Sequence, residues 1–384
     1  MSSGATADGP RPRPGRPSIA LDYTAAAGHA PGVGRYTREL VRALVREPGP
    51  PLSRLRLVEV GRAPRPMAGA PLGLEGPEVQ QPTEHRLLRL PRRLLALWGR
   101  VPLGPGPGAW AAGECDLFHH ADGGSIAPRT GPRCMAVTDL PGPGSPEAED
   151  LGRRARRAEG LIVFSSEAQQ RLVSEHGVEA PRIHRVPVGC DHWERDLAAA
   201  PPPRAPRDVL VLGAVRRSRE PLAALRAFEC LGSEAPPARL LIVGRPGDAA
   251  ADLRAALRSS PAADRVRWIE SPDEARMPGC VSGASVLLHL AHQEATPVTP
   301  LEAARHGLAV VASPLPAFQE ALGDHARYVD LSDPAEAGRA LTEALASSDE
   351  PGVRAAMRSL ASPYTWRASA RAHLAAWETI LRGC

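Results

Sequence analysis

The sequence predicts an α/β protein of two doubly wound, Rossmann-like domains facing a central cleft. Three observations predict it. At 384 residues the chain exceeds the size at which a single core stops growing, roughly 250–300 residues, so two domains are expected. A proline-rich run, AAAPPPRAPR at 198–207, reads as a stiffened spacer. On both sides of it, short apolar segments alternate with amphipathic ones, the order of a parallel sheet covered by helices. The resulting division is a disordered tail over 1–17, a first domain over 18–198, a linker at 199–207, a second domain over 208–362 and a closing helical segment over 363–384.

The elements follow in order. Residues 18–23 (SIALDY) read as a buried strand, followed by a glycine-containing loop at 28–34 and a helix over 35–46 with Tyr36, Leu40, Val41, Leu44 and Val45 on one face. A strand is predicted at 55–60, loop at 61–84, and a basic amphipathic stretch, interrupted by Pro91, at 86–100. Short strands at 116–119 and 134–138 precede a helical stretch at 152–159 and a strand at 160–164. A helix at 167–176, capped by Ser165 or Ser166 and ended by Gly177, leads to a strand at 182–187. Beyond the spacer, strands are predicted at 208–213, 239–244, 266–269, 284–290 and 308–312. Helices are predicted at 221–231, 249–259, 300–306, 334–347 and 366–382.

Composition narrows the chemistry. Hydrophobic residues at 43% and charged residues at 23% are the balance of a globular chain, not a disordered one. No run of ~18 uncharged apolar residues predicts a spanning helix, and the N-terminus lacks the apolar segment of a secretory signal. The chain contains neither lysine nor asparagine, so all 47 basic side chains are arginine. That excludes lysine Schiff bases and the lysine of a P-loop. A net charge of +4 with scattered arginine implies no nucleic-acid partner. Six widely spaced cysteines without a CxxC pair imply neither a zinc site nor a redox dithiol, and reduced thiols in a cytoplasmic protein are expected.

Three segments carry candidate chemistry. Gly32 and Gly34, between a strand and a helix, either let the backbone approach a phosphate at the helix N-terminus or simply make a tight turn; the third glycine of a dinucleotide fingerprint is missing. Arg216, Arg217, Ser218 and Arg219 follow the strand at 208–213 and either grip a diphosphate bidentately or form a solvated basic loop. Glu294 and Glu302 are separated by seven residues, the first in a loop after a strand, the second in the first turn of a helix that Pro300 starts. Such a pair suits vicinal hydroxyls of a sugar or ribose, and Glu302 equally suits the positive end of a helix.

Taken together these segments resemble the retaining nucleotide-sugar glycosyltransferases of glycosyltransferase family 4, which have the two-domain GT-B fold. The resemblance runs over roughly 18–382: GVGRYTRELVRAL at 32–44, CMAVTDL at 134–140, the serine–helix segment at 160–191, the loop at 211–228, the two glutamates with seven residues between them, and Trp366 with the last helix. It implies that Glu302 binds the donor ribose, that Glu294 contacts the transferred sugar, and that Arg219 holds the diphosphate with Arg217 beside it. Gly213, Gly244, Thr296 and Val298 complete the donor side, and Gly32 and Gly34 offer amides near the phosphates or acceptor. Asp139 joins Glu294 and Arg219 in the implied catalytic set, and the last helix crosses back to the first domain. The donor is a nucleotide-diphosphate sugar, the acceptor a hydroxylated small molecule or glycan, and neither a metal nor another cofactor is expected.

The sequence departs from the family at several places. The family's Arg-Lys pair reads Ser218-Arg219, the glycine-rich loop between the glutamates reads Ala295, Thr296, Pro297, the histidine before Asp139 is Thr138, and the asparagine before Gly189 is Val188. His29, His119 and His120 lie in the same domain as Thr138. The expected function is a retaining sugar transfer to an acceptor hydroxyl. The alternatives are a catalytically silent relative acting as a partner subunit, a nucleotide-sugar epimerase and a nicotinamide-dependent oxidoreductase. For the basic stretch at 86–100, packing of its leucine face on the core is favoured over contact with anionic lipid.

Overall fold

The computed structural model describes residues 15–27, 32–49, 51–60, 74, 79–81, 83–88, 112–121, 131–194, 207–270, 272 and 274–384. Residues 1–14 of the expected tail over 1–17, residues 199–206 of the spacer over 199–207, His29 and the basic stretch from 89 onward lie outside the described residues.

The chain folds into two parallel sheets. The first holds β1 (Ser18–Asp22), β2 (Arg54–Val60), β3 (Thr83–Leu88), β4 (Leu117–Ala121), β5 (Arg133–Ala136), β6 (Gly160–Val163) and β7 (Ile183–Arg185), in the order β3-β2-β1-β4-β5-β6-β7. The second holds β8 (Arg207–Leu212), β9 (Ala238–Val243), β10 (Val266–Ile269), β11 (Val286–His289), β12 (Ala309–Ala312) and β13 (Ala326–Tyr328), in the order β10-β9-β8-β11-β12-β13. Strand direction of travel reverses at β1/β4 and at β8/β11, the points where doubly wound sheets open a crevice at their carboxyl ends. Central strands such as β11 (VLLH) and β12 (AVVA) are buried throughout, as strands covered on both faces are.

The helices are α1 (Thr24–Ala27), α2 (Val33–Arg46), α3 (Pro146–Arg157), α4 (Ser166–Ser174), α5 (Pro221–Glu229), α6 (Ala250–Ser259), α7 (Met277–Ser282), α8 (Val298–Arg305), α9 (Pro316–Leu322), α10 (Pro334–Ser347), α11 (Pro351–Ala361) and α12 (Trp366–Gly383). Ser145, Ser165, Asp333 and Thr365 cap α3, α4, α10 and α12 by accepting a backbone N–H three residues on. The last helix, α12, packs on α2 and β6 of the first sheet, and Gly160 leaves the space that Ile380 fills.

Two readings of the sequence are corrected here. Residues 83–88, expected as loop and basic amphipathic stretch, pair with β2 along six residues as an edge strand. The two-residue period explains this: Glu84 and Arg86 share a face, and Glu84 bonds both Arg86 and Arg56, giving the charged edge that discourages pairing with another chain. Helix α8 starts at Val298, so Pro300 is its third residue, where the missing N–H costs nothing, and Glu302 sits in the second turn.

The two domains meet along the loop between the glutamates. The Ser165 hydroxyl donates to the Ala295 carbonyl (2.9 Å) and the Thr296 hydroxyl to the Thr138 carbonyl (3.0 Å). Ala295 is buried within a first-domain core cluster that includes Met135, Val137, Leu140 and Leu161. Beside it, Glu320 on α9 accepts from the Ser166 amide (2.7 Å) and pairs with Arg185 (2.9 Å). The loop that stands where the family's is glycine-rich is therefore docked between the domains, with small Ala295 packed into the first-domain core.

Candidate functional site

The site lies where the carboxyl ends of β8 and β11 face the start of α2. After β8 the backbone turns at Gly213, whose φ of +130° an L side chain rarely adopts, and a Cβ there would overlap the Arg219 guanidinium. A Cβ on Gly244 would overlap the Gly213 carbonyl, so the ends of β8 and β9 approach this closely only because position 244 is glycine. This clearance lets Arg219 fold back into the cleft and form an ion pair with Glu294. The loop carrying Arg219 ends at Glu220, a non-glycine residue with φ of +40°, held by its bond to His292 (2.7 Å).

Glu294 follows β11, whose last residue, His289, is buried with its Nε2 3.7 Å from Glu294 Oε2. Glu302 projects from α8 and is 0% exposed. Its Oε1 accepts from Arg35 Nη1 of α2 (2.9 Å) and lies 3.1 Å from His192 Nε2. The Trp366 indole N–H donates to His192 Nδ1 (3.1 Å), which leaves the proton of a neutral ring on Nε2, facing Glu302. Arg35 also lies over the Trp193 ring, 4.7 Å from its centroid.

Electrostatics keep both carboxylates charged. Burial pushes Glu294 up, but Arg219 and His289 outweigh it, so its carboxyl titrates below the ordinary range. Burial likewise pushes Glu302 up, and Arg35 and His192 bring it down. The Glu302 carboxylate also raises the titration of Glu294, which places the two within electrostatic reach. The buried side-chain atoms without a hydrogen-bond partner include, at this site, Glu302 Oε2, His289 Nε2, His192 Nε2, Arg35 Nε and the Thr138 hydroxyl. Buried polar atoms left open cost free energy, roughly 1–3 kcal/mol each, and their collection at one cleft marks a place for a polar ligand.

The sequence-predicted residues divide. Glu294, Glu302, Arg219, Gly213 and Gly244 come together. Gly32, with φ of +67°, caps α2 within three residues of Arg35, and Gly34 is buried in that helix's first turn. Thr296 spends its hydroxyl on Thr138, and Val298 packs half-buried against the main core. Arg217 turns away: its side chain is 68% exposed and pairs with Asp252 on α6 (2.6 Å). Asp139 is exposed, accepts from the Leu140 amide (2.9 Å), and has no bond to Glu294, Glu302 or Arg219 among the described residues. His119 and His120 are buried, His119 in the seam under α12 and His120 beside Phe118. Arg35, His192 and His289 were not singled out from the sequence. Arg35 follows the glycine loop and His289 ends a strand, positions that give a signal; His192 has none.

The two facing doubly wound domains, with the site between them, define the GT-B architecture. Residues 206–347 match the sequence model of the family Glycosyl transferases group 1. A glycogen synthase from Bordetella bronchiseptica is 33% identical over 117 residues, which cover 27% of this chain and 23% of that protein. The chain thus matches about a quarter of the length of this curated relative. Among solved structures, sucrose-phosphate synthase from Thermosynechococcus elongatus is similar with a TM-score of 0.71 at 16% identity, covering 96% of this chain and 100% of that one. The trehalose-6-phosphate protein from E. coli bound with UDP-2-fluoro glucose gives 0.68 at 11% identity, covering 94% and 99%. These likenesses establish the fold. No helix among the described residues is long and apolar enough to cross a membrane.

Proposed function

We propose that the protein is a retaining glycosyltransferase that moves a sugar from a nucleotide-diphosphate donor to an acceptor hydroxyl. The observation that carries it is the pairing of two buried, ionised glutamates with two arginines, Arg219 from their own domain and Arg35 from the other, with one carboxylate oxygen of Glu302 left without a partner. In this reading Glu302 accepts from the ribose hydroxyls and Glu294 from the transferred sugar, while Arg219 binds the diphosphate. As the bond from the anomeric carbon to the phosphate oxygen breaks, the acceptor oxygen bonds the same face, and its proton passes to the departing phosphate. The demand on the protein is to stabilise the growing diphosphate charge, which arginine and main-chain amides meet without a metal. The E. coli neighbour binds a UDP-sugar, which favours a nucleotide sugar as donor here.

Thermal shift across nucleoside diphosphates tests the reading. At least one is expected to raise the melting temperature, with Glu302→Ala abolishing the rise; absence of protection by every one of them overturns donor binding. Turnover unchanged by a chelator is expected if no metal takes part.

The docking of Ala295 into the first-domain core favours a second reading, a catalytically silent relative serving as a partner subunit. Donor hydrolysis or transfer by the purified chain alone excludes it.

A further inference from the structure

We propose that Arg35 is a donor-phosphate ligand held in reserve on Glu302, released to the diphosphate when ribose hydroxyls take its place. This rests on the donor reading above. The charge count at the cleft motivates it. Arg219 is neutralised by Glu294 and Arg35 by Glu302, so the four groups sum to zero before any ligand arrives. Glu302 is fully buried, with Arg35 laid across one oxygen and the other oxygen open. A ribose diol bridging Glu302 places one hydroxyl on the open Oε2 and the other on Oε1, where it competes with Arg35 for the same oxygen, with His192 Nε2 only 3.1 Å away. A freed guanidinium in this crevice is costly unless an anion meets it. The diphosphate of the same ligand supplies that anion.

The position suits the exchange. Arg35 is in the first turn of α2, whose N-terminus opens into the cleft behind Gly32, so its backbone lies where free amides and the helix dipole already favour an anion. Its guanidinium rests on the Trp193 face, a support on which a planar cation can slide without losing contact. Arg217, the other arginine expected on the phosphates, is occupied by Asp252. Arg35 thus brings a second cation from the opposite domain, which couples phosphate binding to the contact between the two domains.

The test separates a phosphate ligand from a purely structural tie by the sign of two effects. In Arg35→Gln, binding of the best nucleoside diphosphate from the thermal screen is measured by calorimetry beside that of its nucleoside monophosphate. Loss of a charge-assisted contact should weaken the diphosphate about ten- to hundredfold. The monophosphate, relieved of competition for Glu302, should bind as well as before or better. Equal weakening of both, or no change in either, overturns the proposal while leaving the donor reading intact. Failure of the unaltered protein to bind any nucleoside diphosphate overturns the donor reading and this proposal with it. If Arg35→Gln does not fold, Arg35→Lys decides: a diphosphate-over-monophosphate preference cut about threefold or more supports the proposal, since lysine keeps charge but not the bidentate fork; an unchanged preference overturns it.

Discussion

Arg35 and Tyr36 are neighbours on one helix, yet they enter two buried polar clusters of opposite character. Arg35 faces the cleft, where charged groups are paired one to one and valences stay open at Glu302 Oε2 and His289 Nε2. Tyr36 faces the seam under α12, where the bonds of four rings are all met. The Trp377 indole N–H donates to His119 Nδ1 (3.3 Å), which assigns the His119 proton to Nε2, 3.1 Å from the Tyr36 oxygen. Tyr36 then donates to His373 Nε2 (2.8 Å), and His373 Nδ1 donates to the Ser369 carbonyl (2.7 Å). One tautomer of each histidine satisfies the chain, and an added proton forces two donors to face each other. The difference teaches where exchangeable partners lie. A saturated neutral relay holds elements together, whereas paired charges with spare acceptors can trade partners for a ligand.

Acid is expected to break the seam with the largest effect. Burial holds His373 down to about 4 and His119 well below its ordinary 6.5. As pH falls below about 6.5 the unfolded chain takes up protons that the folded one refuses, so stability present above that value is lost progressively toward pH 4. The loss is on the order of 1 kcal/mol per pH unit for each histidine. Denaturant midpoints against pH should show this fall, less steep in His373→Gln; equal slopes would remove the relay from the account.

Tyr36→Phe comes next. It strands His119 Nε2 and His373 Nε2, at roughly 2–5 kcal/mol of stability for two buried groups left open. Nucleotide affinity of the folded fraction should hold within about twofold, which corresponds to under 0.5 kcal/mol. A large change in affinity with little in stability would merge the two clusters into one.

Gly213→Ala sharpens the cleft side. The added Cβ meets Arg219 and adopts a strained φ, so nucleoside-diphosphate affinity should fall about tenfold, with roughly 1–3 kcal/mol of stability lost to strain. Unchanged affinity by titration calorimetry would show that Arg219 need not fold back over this glycine. The smallest effect is expected for Arg217→Ala, which removes an exposed pair with Asp252 worth about 0–1 kcal/mol and should leave nucleotide affinity unaltered. A tenfold loss there would return Arg217 to the phosphates, contrary to its placement.

Much of the fold was legible because alternation of apolar strands and amphipathic helices is a local pattern; 266–269 and 334–347 coincide with β10 and α10 to the residue. Among the pieces that escaped, β3 and β13 were charged or short, while the eleven-residue α11 was neither. β13 spans three residues, and β3 carries Glu84, His85 and Arg86, so neither presents an apolar run. In the site, Glu294, Glu302 and Arg219 stood out by spacing and by position after strands. Arg217 looked equivalent to Arg219 in sequence, two residues away on the same loop, and only the turn at 217–219 sends one outward to α6 and the other inward.

Sequence alone determined the two α/β layers, the restriction of every permanent cation to arginine, and the presence of two glutamates at strand and helix ends. Tertiary structure decided which arginine meets which glutamate, for Arg35 and Glu302 are 267 residues apart and no periodicity links them. It also decided that Ala295 belongs to the core of the opposite domain. The reason is one of range: hydrophobic patterning acts over a few residues and sets the elements, while hydrogen-bond and ion-pair valences reach about 3 Å and are filled by whatever the packed elements bring there.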